Sequence, residues 1–324
     1  MNTSFKVIIK GRLAFGTLKS YEMMIEQYRR RLELYYKNDI ILKTDEHLLD
    51  DSLSIFIPRT TLQITTEKTW KNTINLFNEL RTYAVAGIMH IWVLDSEGKQ
   101  LLHEAVIMPQ GDKFATSEYN RGVAYLSKQG KEEQAIESLT KAIDKYEGYE
   151  QAYERRGVAH HRLGNFEEAV LDFTKSISLN INPDALLGRA IVKRSLGDLT
   201  GAVADLDLAI KNAVPYQPVF WAARRIKGEC HLELSQLEEA IFELKLVTKR
   251  PFKTTDPNFA HRRKAWETYA ITLEKAGKRT EADAAFQAAK TLELTHETSI
   301  KTANLIGAMS ESPKPVKKQK AVLA

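Results

Sequence analysis

The sequence has one cysteine and no long apolar run, and each shortage excludes a class of protein. Cys230 alone cannot form a disulfide within the chain, and no second thiol is available for a redox pair or a zinc site. This favours a reducing compartment, so we expect a cytoplasmic protein. The longest apolar stretch, residues 83–94, is interrupted by Gly87 and His90 and is too short to span a bilayer. We therefore expect no membrane as a partner.

The sequence also lacks a large excess of charge in its central part. The 324 residues include 47 Lys and Arg and 42 Asp and Glu, which gives a formal net charge of +5. Residues 1–111 and 112–296 each contribute +1, and residues 297–324 contribute +3. Phosphate neutralisation needs a concentrated basic surface, so these averages disfavour nucleic acid as a partner.

The sequence motifs of common enzyme classes are missing as well. No HExxH, GxSxG or GxGxxG pattern occurs. Gly11 and Gly16 have the glycine spacing of a phosphate-binding loop but lack its lysine, so we expect them to distort or end a strand. We interpret His90 and His103 as ordinary sheet residues. The sequence predicts no catalytic residue, no metal site and no cofactor, and we expect a protein that is not an enzyme.

A pattern of small and large residues is repeated five times between residues 113 and 293. Each copy opens with a small residue, continues with an alanine 12 or 13 places later, and has a large apolar residue four places after the alanine. In that order the markers are Gly122, Ala135 and Leu139; Gly157, Ala169 and Phe173; Ala190, Ala202 and Leu206; Gly228, Ala240 and Leu244; and Ala270, Ala282 and Phe286.

This spacing predicts two helices joined by a tight turn in every copy. The small residues allow the two helices to approach closely, and the regular spacing gives the second helix one apolar stripe. A turn residue lies between the helices in each copy: Gly130, Gly164, Gly197, Ser235 and Gly277. The glycines among them accept the positive φ that ends the first helix. A single hairpin cannot bury its apolar face, so the copies must stack on one another.

The pattern resembles the tetratricopeptide repeat family, most clearly in AYERRGVAHHRLGNFEEAVLDFTKSISLNINP, residues 152–183. The opening residues are 35, 33, 38 and 42 places apart, whereas the family repeats every 34 or so residues. The last two copies therefore have longer connections, near residues 216–218 and 251–257. The resemblance implies an all-α solenoid of about five helical hairpins over residues 112–296. It also implies a scaffold or adaptor that binds a protein or peptide.

In this family the first helices of the repeats line a concave surface. Their positions relative to the opening residues predict a partner-binding groove formed by Tyr119, Val123, Glu154, Val158, His161, Arg162, Leu187, Ile191, Arg194, Arg225 and Glu229. Apolar side chains beside arginines favour a partner that offers a hydrophobic anchor and acidic groups. The alternative is that these arginines form only a solvated face.

Residues 1–111 are predicted to form a separate, small α+β sandwich. The predicted strands are 5–14, 39–42, 53–57, 60–65, 88–94 and 100–108, and the predicted helices are 21–37 and 69–83, the second capped by Thr66. A ferredoxin-like arrangement with an extra strand is one candidate for this order. Residues 297–324 are predicted to form a short capping helix followed by a disordered basic tail.

Two functions remain open for the N-terminal domain. In the adaptor hypothesis, it binds a second partner or mediates self-association. In the alternative hypothesis, it is an enzyme or a nucleotide-binding domain whose targets are recruited by the repeats. A pocket with converging polar groups on the sheet would favour the alternative.

Overall fold

The computed structural model describes residues 4–37, 39–42, 47–49 and 51–292. The predicted capping helix and basic tail lie outside these residues. The chain divides into two compact units. The first contains the residues up to Tyr125 together with Glu133–Arg155 and Ser178–Asn180, and the second contains Leu126–Glu132, Arg156–Ile177 and the residues from Ile181 onward.

A five-stranded antiparallel sheet forms the centre of the first compact unit. Its strands are β1 (Phe5–Ala14), β2 (Leu48–Leu49), β3 (Ser54–Ile64), β4 (Ala86–Leu94) and β5 (Leu101–Ile107). The strand order is β2-β3-β1-β4-β5. β1 and β2 run in the same direction with β3 between them, and β3 and β4 do so with β1 between them. Two interleaved split βαβ motifs of this kind form a ferredoxin-like arrangement, and β5 is the extra strand.

Two helices pack against one face of the sheet. They are α1 (Leu18–Arg30), which continues as a π-helical turn (Arg31–Tyr35), and α2 (Glu67–Leu80). Alternate β1 side chains such as Val7 and Ile9 point to this face and share one buried core with Met24 of α1 and Phe77 of α2. Thr66 caps α2 by accepting a hydrogen bond from the backbone N–H of Thr69, as predicted.

The predicted strand at residues 39–42 is wrong. The backbone polar groups of this segment are bound by side chains of α2 instead of by a neighbouring strand. The N–H of Ile41 donates to Thr73 Oγ1 at 2.9 Å, and Asn72 Nδ2 donates to the carbonyl of Asp39 at 2.9 Å. Alternating hydrophobicity could not reveal these side-chain partners, because they come from a helix about thirty residues away.

The two predicted strands at 53–57 and 60–65 are a single strand, β3. Its pairing with β1 shifts register between Ile9 and Gly11, and Pro58 lies at this irregularity, where its missing N–H is tolerated. Gly11 has φ of +147°, and a Cβ there would lie 2.1 Å from the carbonyl oxygen of Ile88. Gly16, two residues after the last residue of the strand, has φ of +70°. The prediction that these glycines distort and end a strand is confirmed.

Ten helices of the described chain form five successive hairpins. They are α3 (Lys113–Leu126) with α4 (Glu132–Lys145), α5 (Glu150–Leu163) with α6 (Phe166–Leu179), α7 (Pro183–Ser195) with α8 (Leu199–Asn212), α9 (Pro218–Glu233) with α10 (Leu237–Thr248), and α11 (Arg262–Lys275) with α12 (Arg279–Thr291). We number these hairpins as repeats one to five. A 3-10 turn (Pro257–His261) precedes α11.

Each turn residue has a positive φ, as predicted for the glycines. The four glycines lie between +76° and +85°, and Ser235 has φ of +60°. The opening small residues are also explained, because a Cβ on Gly228 would lie 2.7 Å from Leu244 Cγ and a Cβ on Gly157 would lie 3.2 Å from the Phe173 ring. Larger side chains at these positions would push the two helices of a repeat apart.

The compact units do not divide at the predicted domain boundary between residues 111 and 112. The helix α3, most of α4 and the first turns of α5 belong to the same unit as the sheet. Within this unit, buried Glu150 lies 3.9 Å from Arg12 of β1, and Gln151 Oε1 accepts a hydrogen bond from the N–H of Gly87 at 3.2 Å. Independent folding of the repeats from residue 112 therefore stays a prediction.

Candidate functional site

Most residues of the predicted groove are buried. Those that keep less than a tenth of their surface are Tyr119, Glu154, Val158, His161, Leu187, Ile191, Arg225 and Glu229. The apolar groove residues Val158, Leu187 and Ile191 therefore offer little surface to a partner. In the second compact unit, first helices of successive repeats contact one another, α7 with α9 and α9 with α11. We attribute the burial of Leu187 and Ile191 on α7 and of Arg225 and Glu229 on α9 to this packing.

Tyr119 and Glu154 have partners within the first compact unit. The Tyr119 ring stacks on Tyr149, with centroids 5.1 Å apart and planes 26° from parallel. Burial raises the pKa of the Tyr119 phenol, which keeps it neutral at pH 7. Glu154 Oε1 lies 3.2 Å from Arg155 Nη1. Val123, four residues after Tyr119 on α3, is only partly buried.

His161 is a core residue of the second compact unit. It is 1% exposed, its ring lies 5.9 Å from that of Phe166, and neither ring nitrogen has a hydrogen-bond partner among the described residues. Burial and the neighbouring Arg162 lower the pKa of His161 to about 4, so it is neutral at pH 7. Arg162 itself donates to the backbone carbonyl of Leu126.

The other two predicted cations belong to a cluster around Glu229. Arg194 Nη1 lies 2.6 Å from Glu229 Oε2, and Arg194 Nε lies 3.0 Å from Glu233 Oε1. Arg225, which is 2% exposed, donates to Glu229 Oε1 at 2.7 Å. Burial alone would raise the pKa of Glu229, but the two guanidinium groups outweigh it and lower the pKa, so the carboxylate is charged. Arg194 is the cluster's partly exposed cation, with 28% of its side chain accessible.

The first helices still offer some groups to solvent. Ile271 of α11 is 40% exposed, and the Glu267 side chain one turn earlier is 42% exposed. Glu233 on α9 is also 42% exposed. We call Arg194, Glu233, Glu267 and Ile271 the first-helix surface. It combines charges of both signs with one apolar side chain, which suits a peptide better than a small charged ligand.

A repeated ion pair joins the two helices of each middle repeat. In repeat two, Arg156 makes a bidentate contact with Asp172, both distances being 2.8 Å. In repeat three, Arg189 does the same with Asp205 at 2.9 and 2.7 Å. In repeat four, Arg224 and Lys227 lie 2.6 and 2.9 Å from Glu243. The three carboxylates are all buried.

The sequence contains a signal for these pairs, which lies beside the small and apolar residues that predict the hairpins. A cation directly precedes the opening residue of repeats two to four, and an acid directly precedes their large apolar residue. The first and last repeats have Ser138 and Ala285 at the acidic position. The pairs fix the helix–helix geometry of the middle repeats, because a buried carboxylate must stay within reach of its cations.

The histidines of the sheet have ring partners. His90 stacks on Trp92 with centroids 5.2 Å apart, and His103 stacks on Trp70 at the same distance. Burial lowers the pKa of His90 to about 4. Among the described side chains, no three His, Cys, Asp or Glu residues are grouped as a metal site would require. Nor does any described helix have the length and apolarity needed to cross a membrane.

Paired helices, small residues at their close approaches and positive-φ turns together define a helical-repeat protein. Residues 119–179 and 182–252 match a family model described as tetratricopeptide repeat. This array therefore belongs to the tetratricopeptide repeat family, as its resemblance implied. The search of curated protein sequences found no match.

Several solved structures match part of this chain at low sequence identity. MamA from Desulfovibrio magneticus RS-1, from residue 41 to the end, is 19% identical and covers 58% of this chain and 99% of its own, with a TM-score of 0.47. YrrB, described as a TPR protein with an unusual peptide-binding site, is 20% identical and covers 58% of this chain and 90% of its own, with a TM-score of 0.44. Pseudomonas aeruginosa pilF is 16% identical and covers 56% of this chain and 79% of its own, with a TM-score of 0.47. Similarity this distant says nothing about a partner.

Proposed function

We propose that this chain is a non-enzymatic adaptor whose repeats hold a protein or peptide partner on the first-helix surface. The observation that supports this most is the contrast between a fixed framework and the groups it leaves exposed. Buried ion pairs and close-packed glycines hold the helices, while Arg194, Glu233 and Ile271 remain accessible. A rigid surface loses little conformational entropy when it binds a partner.

The chemistry of this surface suggests what its partner offers. Ile271 can receive an apolar anchor, and an acidic group of the partner can compete with Glu233 for Arg194. Because Arg162 and Arg225 already bind internal oxygens, we no longer assign them to partner binding. Replacing Arg162, Arg194 and Arg225 together by alanine would be a poor test of this surface, since removing Arg225 leaves Glu229 less well neutralised in a buried place.

A better test replaces one exposed apolar residue of the first-helix surface. The full-length Ile271→Asp protein should lose a partner that the parent protein captures from its native cell extract, as identified by mass spectrometry. The matched control is Leu208→Asp, because Leu208 is 46% exposed but lies on the second helix α8. If both proteins retain the partner, or if both lose it, the first-helix surface is not the binding site.

The sheet can supply a second contact, and we propose self-association as its role. β5 is one of the two edge strands of the described sheet, the other being the two-residue strand β2, and Leu102 and Val106 on β5 are 47% and 45% exposed. Unpaired edges of this kind favour pairing with another strand. Light scattering over a range of protein concentrations would detect the dimer, and a constant monomer mass would contradict it.

We also propose a cytoplasmic location, since the single thiol of Cys230 is buried and needs no oxidising compartment.

A further inference from the structure

The connection between α10 and α11 carries a concentration of positive charge that averages over the array conceal. Residues 249–264 contain six cations and a single acid, Asp256. The cations are Lys249, Arg250, Lys253, Arg262, Arg263 and Lys264. This segment is also where the repeat spacing is longest, so its length is an addition to the ordinary repeat.

The connection is held against the start of α9. Asn258, which is 5% exposed, donates through Nδ2 to the carbonyl of Pro218 at 3.0 Å. Asp256 Oδ1 accepts from the N–H of Asn258 at 2.8 Å and caps the 3-10 turn. Hydrogen bonds of this kind, made by a buried asparagine, give the backbone that carries the cations a defined position.

Partly exposed aromatic rings lie beside these cations. The Trp221 ring packs edge-on against Phe220 and Phe252, with centroids 5.1 and 6.1 Å apart. Its indole N–H donates to the carbonyl of Pro215 at 2.8 Å. The guanidinium of Arg250 lies over the Trp221 ring, 4.8 Å from its centroid. Such stacking orients a guanidinium while leaving its N–H edges available.

The cations of this region differ in whether they already have a counter-ion. Arg224 pairs with Glu243 at 2.6 Å, and Arg263 pairs with Glu267 at 2.9 Å. By contrast, no carboxylate in the described part of the chain lies within 4.0 Å of Arg250, and its buried Nε has no hydrogen-bond partner there. Lys249 and Lys253 are exposed and have no ion pair with the described residues. Three neighbouring cations are thus left for an external anion.

We propose that Trp221, Lys249, Arg250, Phe252 and Lys253, the Trp221–Arg250 surface, form a second docking surface that binds an acidic segment of a partner protein. Charge complementarity carries the choice of an acidic partner. Carboxylates bind the N–H edges of guanidinium groups, and apolar side chains of the partner can lie on the exposed parts of the rings. This proposal does not depend on the first-helix surface.

The arrangement of the rings favours an acidic protein segment over a single-stranded nucleic acid. Binding of bases needs ring faces on which they can stack. Here one face of Trp221 is covered by Arg250, a face of Phe220 is covered by Arg224 at 4.8 Å, and the rings meet edge to face. Two guanidinium groups therefore occupy ring faces on which bases would have to stack.

The test measures binding of a fluorescein-labelled peptide of alternating glutamate and leucine to the full-length protein by fluorescence anisotropy. A peptide with glutamine in place of glutamate should not bind. Replacing Lys249, Arg250 and Lys253 together by glutamine should weaken binding at least about tenfold, because charge-assisted contacts are lost. In the matched control, Lys275→Gln with Lys290→Gln, binding should change by less than about twofold.

Several outcomes would overturn the proposal. These are equal binding of the two peptides, undiminished binding by the triple variant, and equal weakening in the control. Tighter binding of a single-stranded DNA oligomer, lost in the same triple variant, would assign the surface to nucleic acid instead. Should the triple variant fail to fold by circular dichroism, the pair Lys249→Glu with Lys253→Glu replaces it, because both side chains are exposed. None of these results depends on Ile271.

Discussion

At the residue scale, the turns of the hairpins are places where the energetic cost of backbone strain can be measured without a change in packing. Gly164 has φ of +81°, and a Cβ there would meet no atom within 4 Å. Gly164→Ala should therefore lower the free energy of unfolding by about 1 kcal/mol through backbone strain alone.

Ser235 occupies the equivalent turn at φ +60° with a side chain present. Ser235→Gly should raise the free energy of unfolding by a few tenths to about 1 kcal/mol.

Urea denaturation of the parent protein and the two variants would measure these changes. Opposite shifts of the transition midpoint, with unchanged slopes, are expected. A destabilised Ser235→Gly protein would show that the serine side chain has a stabilising role that outweighs its strained backbone.

His161 makes stability depend on pH. Above its ordinary pKa of 6.5 the ring is neutral in both the folded and the unfolded chain, whereas the folded value is about 4. As the pH falls from 6.5 towards 4, the unfolded chain takes up a proton that the folded chain does not, so stability is lost. The decrease in the free energy of unfolding that His161 causes approaches about 3 kcal/mol as the pH nears 4.

His161→Leu should therefore reduce the decrease in stability between neutral and mildly acidic pH. The measurement is urea denaturation of both proteins at a series of pH values. A remaining pH dependence is expected, because burial also lowers the pKa values of His90 and His261 to about 4. If the His161→Leu protein lost as much stability as the parent protein between neutral and mildly acidic pH, His161 could not be the neutral, buried residue described above.

At the element scale, the ion pair of repeat three should contribute more to stability than a surface pair. Asp205 is 4% exposed at its side chain and lies near both Arg189 and Lys193. Asp205→Asn should cost about 2–4 kcal/mol, because two partly buried cations lose their counter-ion. The matched control is Glu267→Gln, whose pair with Arg263 is about 40% exposed and should contribute less than about 0.5 kcal/mol. Equal, small effects in denaturation would show that the buried pair adds nothing.

The helices of the array could be predicted from sequence because their signals are local. Each hairpin has a small residue, an alanine and a turn residue at fixed spacing, and a helix satisfies its own backbone hydrogen bonds. The exposure of the first helices could not be predicted in the same way. Whether Val158 or Leu187 meets solvent depends on the next first helix, which the position of a residue within its own repeat does not describe.

In the sheet, too, local signals could be read from the sequence, whereas contacts with distant residues could not. The predicted strands at 88–94 and 100–108 are confirmed as β4 and β5, which pair with each other, and in the turn between them the Gly98 N–H donates to the carbonyl of Asp95 at 3.0 Å. The segment at residues 39–42 was assigned wrongly, because its backbone is bound by Asn72 and Thr73 of a distant helix. The Trp221–Arg250 surface could not be predicted for a related reason, because Trp221 lies on α9 and the other residues of this surface lie in the connection that follows α10.

At the scale of the whole molecule, the predicted boundary between residues 111 and 112 can be tested directly. The fragment of residues 112–310 should give a helical circular dichroism spectrum and a cooperative melting transition, because each repeat supplies its own helix–helix core. Its first repeat should exchange amide hydrogens faster than in the full chain, since Glu150 and Gln151 lose Arg12 and Gly87. A strand-rich spectrum, or a product that aggregates without melting, would place the boundary elsewhere.

The ion pairs of the middle repeats also affect how such an array can grow. Arg189 and Asp205 lie in the same hairpin, as do Arg156 and Asp172, so the partner of each buried charge is encoded a few turns away in the same stretch of gene. Duplication of one such stretch would add a hairpin that brings both charges with it. The lengthening of a repeat array by copying would then leave no carboxylate stranded in the interior, which makes the middle repeats better templates for duplication than the two ends.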